Sequence, residues 1–347
     1  MSKKITRREF LKRSATTGAA LMALNLLNGE PINKNVPNVS DVDKLTITFI
    51  TDNYYDGLRV DLPVAKRFRT SYNASLHAEH GLSLFIETTV KGKSNSFLFD
   101  FGLDSKGISN NINALGIDVG NASGIGLSHG HFDHWKGLID LLTSNKDKIR
   151  KGTPFYVGKG AFDQRYSRVA GTDKILDIGF LNRSKLESLN LVDVKEVSKM
   201  TEVIPGAYFS GDIARVTDYE LPNPGLLLKN GDNYTVDAFS GEQAMIFNIK
   251  SKGLVILSSC AHSGIVNTVK HAQKKTGVDK VYAVIGGFHL INAKPEVIQK
   301  TVADIKGINP EIIVPAHCTG FEAITLFAKE MPGQFILNTA GTKYTFS

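Results

Sequence analysis

The chain has 347 residues, of which 42% are hydrophobic and 22% charged, enough for one large domain or two ordinary domains with a buried core. Its formal net charge is +7, but its 41 lysines and arginines are spread along the chain, apart from six within the first thirteen residues. Such dispersed charge is typical of a solvated surface, so the composition does not indicate nucleic-acid binding.

Residues 1–29 have the build of an export signal. A basic head, TRREFLK at residues 6–12, precedes a short apolar stretch at residues 15–27. The paired arginines resemble the twin-arginine signal, which predicts the twin-arginine export machinery as a partner and a periplasmic or extracellular location. The apolar stretch is shorter than the ~20 residues of a membrane span, so membrane anchoring is expected only if the signal stays uncleaved. Residues 30–43 are predicted to be a linker.

The first part of the body alternates apolar and polar residues. Strands are predicted over residues 44–50, 81–88 and 96–99, and the short turns between the last two favour an antiparallel meander. Residues 54–80 are expected to form an excursion near the mouth of a site, with His80 as a substrate contact or a structural residue. Asp100 ends the third strand and either orients a metal ligand or serves as a turn residue.

A cluster of metal-ligating residues follows the apolar strand predicted at residues 124–127. The segment SHGHFDHW at residues 128–135 places His129, His131, Asp133 and His134 within six residues. The two histidines that are two apart project from the same side of an extended segment, and the following Asp-His pair faces a second metal. Imidazole and carboxylate suit zinc and similar divalent ions, so this spacing predicts a metal loop.

The stretch from residue 154 to about 240 is less regular and is predicted to carry substrate specificity. One segment within it, YFSGDIAR at residues 208–215, is a strand candidate that would deliver Asp212 and Arg215. Arg215 is either an anion clamp in substrate binding or half of a surface ion pair.

The C-terminal third repeats one pattern three times. Apolar strands at residues 253–257, 281–285 and 311–314 each end in a small-residue loop that bears a histidine: His262, His289 and His317. This repetition predicts that the three histidines lie at the carboxyl ends of strands in one sheet. The two cysteines, Cys260 and Cys318, lie in these loops, which favours metal-site or reactive thiols over a structural disulfide. Residues 334–337 and 343–346 are predicted to form a closing hairpin.

These motifs together resemble the metallo-β-lactamase superfamily. The loop at residues 129–134 matches its H-x-H-x-D-H motif, and the strand end at residues 313–317 resembles its last ligand motif. The segments at residues 79–83, 259–264, 286–290 and 315–320 are similar to the branch named for 7,8-dihydropterin-6-methyl-4-(β-D-ribofuranosyl)-aminobenzene-5′-phosphate synthase. The resemblance implies an α/β fold over residues 44–347: an αββα sandwich of two mixed sheets with helices outside and two divalent metal ions at one edge. Zinc is favoured, with manganese or iron as alternatives.

The resemblance also implies a ligand set, with one departure. His129 and His131 would hold one metal, and Asp133, His134 and His317 the other. The superfamily usually supplies a histidine near the middle of the chain, but here none occurs between His134 and His262. Cys260, His262 or both are therefore expected to complete the site, with His262 favoured.

Three functions follow for this set of residues. The first is a hydrolase of an ester-type anionic small molecule (a phosphoester, lactone or thioester), with Asp133 positioning a metal-activated water or taking its proton. His289 is then expected to stabilise the developing oxyanion or contact substrate, and it is equally a candidate metal ligand. The second is the pterin-related transferase with a diphosphate leaving group, which export disfavours. The third is an exported metal-dependent binding protein, which the water-activating Asp133 disfavours.

Overall fold

The computed structural model describes residues 39–347. The predicted signal segment and residues 30–38 of the predicted linker lie outside this part of the chain. Strands are numbered β1–β19 and helices α1–α7 in chain order. No helix of residues 39–347 is both long and apolar enough to cross a bilayer.

Two large sheets and one small sheet contain all the strands described. Sheet I has the order β10-β7-β6-β5-β4-β2-β19-β3. Its strands are β2 (Lys44–Thr51), β3 (Ala65–Lys66), β4 (Ser83–Val90), β5 (Lys93–Phe101), β6 (Gly124–Leu127), β7 (Thr153–Gly158), β10 (Val192–Val197) and β19 (Lys343–Phe346).

Sheet II has the order β11-β12-β15-β16-β17-β18, and β1 pairs with β15 in addition. Its strands are β1 (Asp41–Val42), β11 (Thr201–Ile204), β12 (Ala207–Phe209), β15 (Met245–Ile249), β16 (Gly253–Ser258), β17 (Val281–Gly287) and β18 (Ile312–Ala316). The end of the predicted linker therefore overlaps a short strand, and Val42 is fully buried.

The helices cover the outer faces of the two large sheets. They are α1 (Ser105–Leu115), α2 (Phe132–Trp135), α3 (Leu138–Ser144), α4 (Arg183–Ser188), α5 (Ile265–Thr276), α6 (Pro295–Ile308) and α7 (Phe321–Glu330). Apolar residues of α1, α3 and α4 pack with the outer face of sheet I, and those of α5, α6 and α7 pack with sheet II. A third cluster, which includes Phe97, Phe209 and Phe247, fills the space between the sheets. This layering is the αββα sandwich that was expected.

Strand direction decides where the predicted ligands emerge. β2, β4 and β5 pair antiparallel, as the meander prediction required. In sheet II, β16, β17 and β18 are parallel neighbours, so their carboxyl ends share one edge, as predicted. The loops after these strands carry the three C-terminal histidines.

The stretch between residues 154 and 240 contains the small third sheet. It has the order β14-β13-β8-β9 and is built from β8 (Arg165–Arg168), β9 (Ile175–Gly179), β13 (Leu226–Asn230) and β14 (Asn233–Val236). All of its strand pairs are antiparallel. The irregular sequence pattern therefore reflects short, partly exposed strands rather than unpaired chain.

The closing-hairpin prediction is wrong. Ile336 donates its N–H to Ile313 in sheet II, whereas β19 lies between β2 and β3 in sheet I. Both segments are apolar enough to be extended, but they pair with different sheets. The local alternation of apolar and polar residues does not specify the pairing partner.

Candidate metal centre

The metal loop begins where β6 ends, and three contacts shape it. Asp100 accepts the Ser128 N–H at 2.7 Å, and the Trp135 indole donates to the Gly130 carbonyl at 3.1 Å. A Cβ on Gly130 would lie 2.1 Å from an Arg165 nitrogen, so only glycine allows this close approach. His131 then stands in extended conformation immediately before α2, which carries Asp133 and His134.

Three buried imidazoles form the first ligand set. His129 Nε2 lies 3.1 Å from His131 Nδ1 and 3.2 Å from His262 Nε2. Nitrogens that bind one tetrahedral zinc at 2.0–2.1 Å are about 3.3 Å apart, so this spacing fits a single metal ion. Burial holds the pKa of all three histidines well below the usual value. The rings are therefore neutral near pH 7, with lone pairs available to a cation.

Two imidazoles and one carboxylate form the second ligand set. Asp133 Oδ2 lies 3.4 Å from His134 Nε2 and 3.4 Å from His317 Nε2, and the two imidazole nitrogens are 3.3 Å apart. These separations fit a second tetrahedral metal ion equally well.

Charge distinguishes the second set from the first. Burial opposes an imidazolium at His134, but Asp133 and Asp100 hold its pKa well above the usual value. Burial also opposes a carboxylate at Asp133, yet His134 and His317 hold its pKa well below the usual range. A metal ion binding here would replace a proton that the second set otherwise carries.

Cys260 and His262, the two candidates to replace the histidine that the superfamily usually has in mid-chain, both lie in the site. His262 completes the first set, as given above. Cys260 Sγ lies 3.3 Å from His134 Nε2 and also belongs to a group with His129 and His262 whose ligand atoms are all within 4.8 Å. Cys260 therefore lies between the two sets, where its thiolate would be a ligand within reach of either set. Ala261, at φ 58°, turns the chain so that its two neighbours reach different sets.

Both cysteines are buried free thiols. Cys318 Sγ lies 3.1 Å from Cys260 Sγ. Burial raises the pKa of Cys260 well above its usual value, and its hydrogen bond to Cys318 adds to this. Burial opposes a thiolate at Cys318, but the neighbouring Cys260 thiol and His289 imidazole hold the Cys318 pKa well below its usual value. The thiolate of the pair is thus favoured on Cys318.

Asp100 orients the second set from behind. Its Oδ2 lies 2.7 Å from His134 Nδ1 and accepts the Ser128 hydroxyl at 2.7 Å. The same hydroxyl lies 2.9 Å from His129 Nδ1, so one carboxylate organises a ligand of each set. A carboxylate behind a metal-binding imidazole fixes its tautomer and its ring orientation. This geometry matches the orienting role considered for Asp100 rather than that of a simple turn residue.

His317 has its own support in the loop after β2. Asn53 Nδ2 donates to the His317 carbonyl at 2.9 Å, and Asn53 Oδ1 lies 3.2 Å from the ring Nδ1. Asp52 is 3.9 Å from the same nitrogen and accepts from Asn338 at 2.7 Å. The sequence predicted only a turn at residues 51–53, because His317, the partner of Asn53, lies 264 residues away.

The loop that carries His262 is held by Glu242 and Arg215. The Glu242 carboxylate accepts the N–H groups of His262 and Ser263 at 2.8 and 2.7 Å. The Arg215 guanidinium donates to the carbonyls of His262 and Ala238, each at 2.9 Å. Arg215 therefore donates hydrogen bonds to loop carbonyls and forms no salt bridge with any residue of 39–347. Its role as an anion clamp stays a prediction. Asp212 is exposed and lies in none of the converging ligand groups of residues 39–347.

Phe239 forms the wall of the first set. Its ring stacks on His262 at 3.9 Å between centroids, with 10° between the planes. It meets His129 and His131 edge-on at 5.9 and 5.0 Å. Asp237 accepts the Phe239 N–H at 2.8 Å and so stabilises the turn. No periodic pattern marks this residue in the sequence.

His80 and His289 lie on opposite sides of the centre. His80 is at the mouth: its side chain is 58% exposed, its Nε2 lies 3.6 Å from Asp133 Oδ2, and its ring stacks on His317 at 5.3 Å. His289 lies deeper, with its ring 4.1 Å from that of His262. Its Nδ1 is buried and has no hydrogen-bond partner among residues 39–347.

Backbone strain is concentrated at this centre. Five non-glycine residues of the site have left-handed φ values of 44–60°, a region that side chains disfavour: Asp100, Phe239, Ala261, His289 and His317. Such residues cost of order 1–3 kcal/mol each and are typical of functional sites, where surrounding contacts hold them in place.

Comparison with known proteins is consistent with this geometry. The chain is 30% identical over 303 residues to a Methanocaldococcus jannaschii protein named 7,8-dihydropterin-6-methyl-4-(β-D-ribofuranosyl)-aminobenzene-5′-phosphate synthase, and the match covers 86% of this chain and 95% of the relative. An uncharacterized protein of the same organism is 30% identical over 250 residues, and the match covers 72% of this chain and 87% of that protein. No protein-family model matches the sequence.

A solved structure decides the superfamily. Tm1679, described as a metal-dependent hydrolase of the β-lactamase superfamily, superposes with a TM-score of 0.67 and 25% identity, covering 87% of this chain and 99% of its own. The chain belongs to the metallo-β-lactamase superfamily. Membership supports an enzyme that binds divalent metal, and the side chains described above are the candidate ligands for it.

Proposed function

We propose that this metallo-β-lactamase superfamily member is a hydrolase that uses a metal-activated water on an ester-type substrate: a phosphoester, a lactone or a thioester. One observation carries the proposal. Two sets of three ligand atoms, each spaced for one tetrahedral ion, lie side by side with Cys260 between them. Zinc is the metal proposed, because imidazole, carboxylate and thiolate are all present.

The chain's own residues have distinct tasks in this reaction. Divalent metal bound at such a site supplies a Lewis acid and lowers the pKa of water. The Asp133 carboxylate faces the mouth beside His80, so it can orient the attacking water and accept its proton. When the His289 ring is protonated, its Nδ1, which has no hydrogen-bond partner among residues 39–347, can donate to charge that develops on the substrate.

The rim of the first set presents one exposed cation. A cavity of about 160 Å³ adjoins His129, and its lining includes Lys159, Arg165 and Phe239 together with the carboxylates of Asp163, Asp237 and Glu242. Arg165 is neutralised by Asp237 at 3.0 Å, whereas exposed Lys159 forms no salt bridge with any residue of 39–347. We propose that Lys159 attracts the anionic part of the substrate.

The proposal is tested with purified, zinc-loaded protein and a panel of chromogenic phosphoesters, lactones and thioesters. We expect turnover of at least one class, and a loss of about 100-fold or more in kcat for Asp133→Ala, because this change removes the proposed general base and also a proposed ligand of the second set. The Asp118→Ala variant, changed at an exposed cap of a short 3₁₀ turn, is the matched control. Bound zinc with no turnover across the panel would refute the hydrolase and favour the exported binding protein.

A transferase is the second candidate. It is favoured by the 30% identity to a protein named as a pterin-related synthase, over 95% of that protein's length. In this reaction the same ligand sets would hold the diphosphate leaving group of a pterin substrate. Release of diphosphate from a hydroxymethylpterin diphosphate only when an aminobenzene riboside phosphate is added would establish the transferase. Release without that acceptor would indicate hydrolysis.

We also propose that the twin-arginine signal exports the folded, metal-loaded chain. The support is the sequence of residues 6–12, and the test is the location of the full chain in cells. Export should stop when both arginines are replaced by lysine, and continued export of that variant would refute the assignment.

A further inference from the structure

The two cysteines of the chain are brought together at the metal centre. Cys260 follows β16 and Cys318 follows β18, 58 residues later. Their sulfurs are 3.1 Å apart. Both residues are buried, with Cys260 3% and Cys318 4% exposed. A disulfide requires about 2.05 Å between sulfurs, so the two sulfurs would have to approach by about 1 Å. The sequence contains no other cysteine, so no competing pairing exists within the chain.

We propose that Cys260 and Cys318 are a modification site, at which a small peroxide forms an intramolecular disulfide when metal is absent, and that bound metal prevents this reaction. The inference rests on the metal centre of the proposed function. It adds that the bridging thiol has a second chemical state that is incompatible with metal binding. Loss of metal and oxidation of the pair would then reinforce one another.

The chemistry balances with peroxide as the oxidant. One thiolate attacks a peroxide oxygen, the O–O bond breaks, and a sulfenic acid and one water form. The second thiol attacks that sulfur, the S–S bond forms, and a second water leaves. In total the pair loses two protons and two electrons, and hydrogen peroxide is reduced to two waters. A dithiol reductant reverses the change by thiol–disulfide exchange.

The position of Cys260 explains why metal and disulfide exclude each other. Metals bind the thiolate form of cysteine, and a disulfide sulfur has no thiolate to offer. Cys260 Sγ is 3.3 Å from His134 Nε2, so its withdrawal toward Cys318 removes the donor between the two ligand sets. We propose that a small oxidant enters from the side of His80, whose side chain is 58% exposed.

The experiment compares the metal-free and the zinc-loaded full chain after exposure to hydrogen peroxide. Trypsin places the cysteines in separate peptides, residues 253–270 and 307–329. Non-reducing mass spectrometry therefore detects the disulfide as one linked pair of peptides. We expect the linked pair in metal-free protein, its loss on reduction, and at least tenfold slower formation in zinc-loaded protein. We also expect the oxidised chain to bind at least tenfold less zinc than the reduced chain at limiting metal.

Variants separate this inference from the proposed function. Cys318→Ser should bind zinc like the native chain, form no linked peptide, and keep its zinc binding after peroxide treatment. Cys318→Ala repeats the test without a hydroxyl, and thermal unfolding verifies that both variants are folded. No linked peptide in metal-free native protein would overturn the modification site but leave the hydrolase proposal intact. Loss of a zinc equivalent in both folded variants would make Cys318 a metal ligand and would overturn the explanation that metal and disulfide exclude each other through Cys260 alone.

Discussion

Asp100 offers the sharpest test of how the centre is organised. Its fully buried carboxylate lies 2.7 Å from the Ser128 amide nitrogen, the Ser128 hydroxyl oxygen and His134 Nδ1. Asp100→Asn keeps the shape but places an NH₂ group against a donor. If that NH₂ faces His134, the ring must accept at Nδ1, so its proton moves to Nε2, the nitrogen that faces the second set.

The expected losses follow from those contacts. A hydrogen bond to a charged group contributes about 1.5–3 kcal/mol, so Asp100→Asn should lower the free energy of unfolding of the metal-free chain by about that amount. Loss of such a supporting group typically lowers metal affinity about 10–100-fold. We expect this decrease at the second ligand set and a smaller one at the first, which Ser128 links to Asp100 only indirectly.

Two measurements test this reasoning. Urea unfolding with a chelator gives the stability of the metal-free protein, and competition with a chromophoric chelator gives two stepwise zinc affinities. Asp118→Asn is the matched control: this exposed aspartate accepts one backbone N–H, at 3.0 Å, and asparagine caps equally well. A folded Asp100→Asn variant that binds both zinc ions within twofold of the native affinities would refute the orienting role.

Four further outcomes are expected. Phe239→Ala should weaken zinc binding at the first set about tenfold or more, because its ring supports all three imidazoles; equal losses at both sets would contradict this. The zinc affinity of the second set should rise with pH through and above 6.5, because zinc must displace a proton held there. The zinc affinity of the first set should already be independent of pH at 6.5. Titration calorimetry in buffers of different ionisation enthalpy measures the protons released at each set. Lys159→Ala should raise KM for an anionic substrate and leave kcat unchanged, and an unchanged KM would remove it from substrate binding. Gly126→Ala should destabilise the fold by about 1–3 kcal/mol, since its Cβ would lie 2.6 Å from Phe209, whereas Gly307→Ala, with open space around it in α6, should be neutral or stabilising.

Local pattern was sufficient where the chemistry is local. His129, His131, Asp133 and His134 fall on one short loop, so their spacing alone placed ligands for two metals together. The repeated strand-plus-histidine pattern likewise placed three loops at one sheet edge, because parallel neighbouring strands end on the same side.

Tertiary structure decided what spacing left open. Cys260 and His262, two residues apart, would point the same way in an extended strand, but the left-handed turn at Ala261 sends them to different ligand sets. Arg215 is committed to backbone carbonyls by a loop that follows it in sequence. Phe239 gains its role from contacts with rings more than twenty residues away in the chain. The sequence by itself determined which ligand types the chain has and which sheet edge presents them. Only the tertiary structure decided which candidate ligands lie together and what holds them, because those contacts join residues that no local pattern relates.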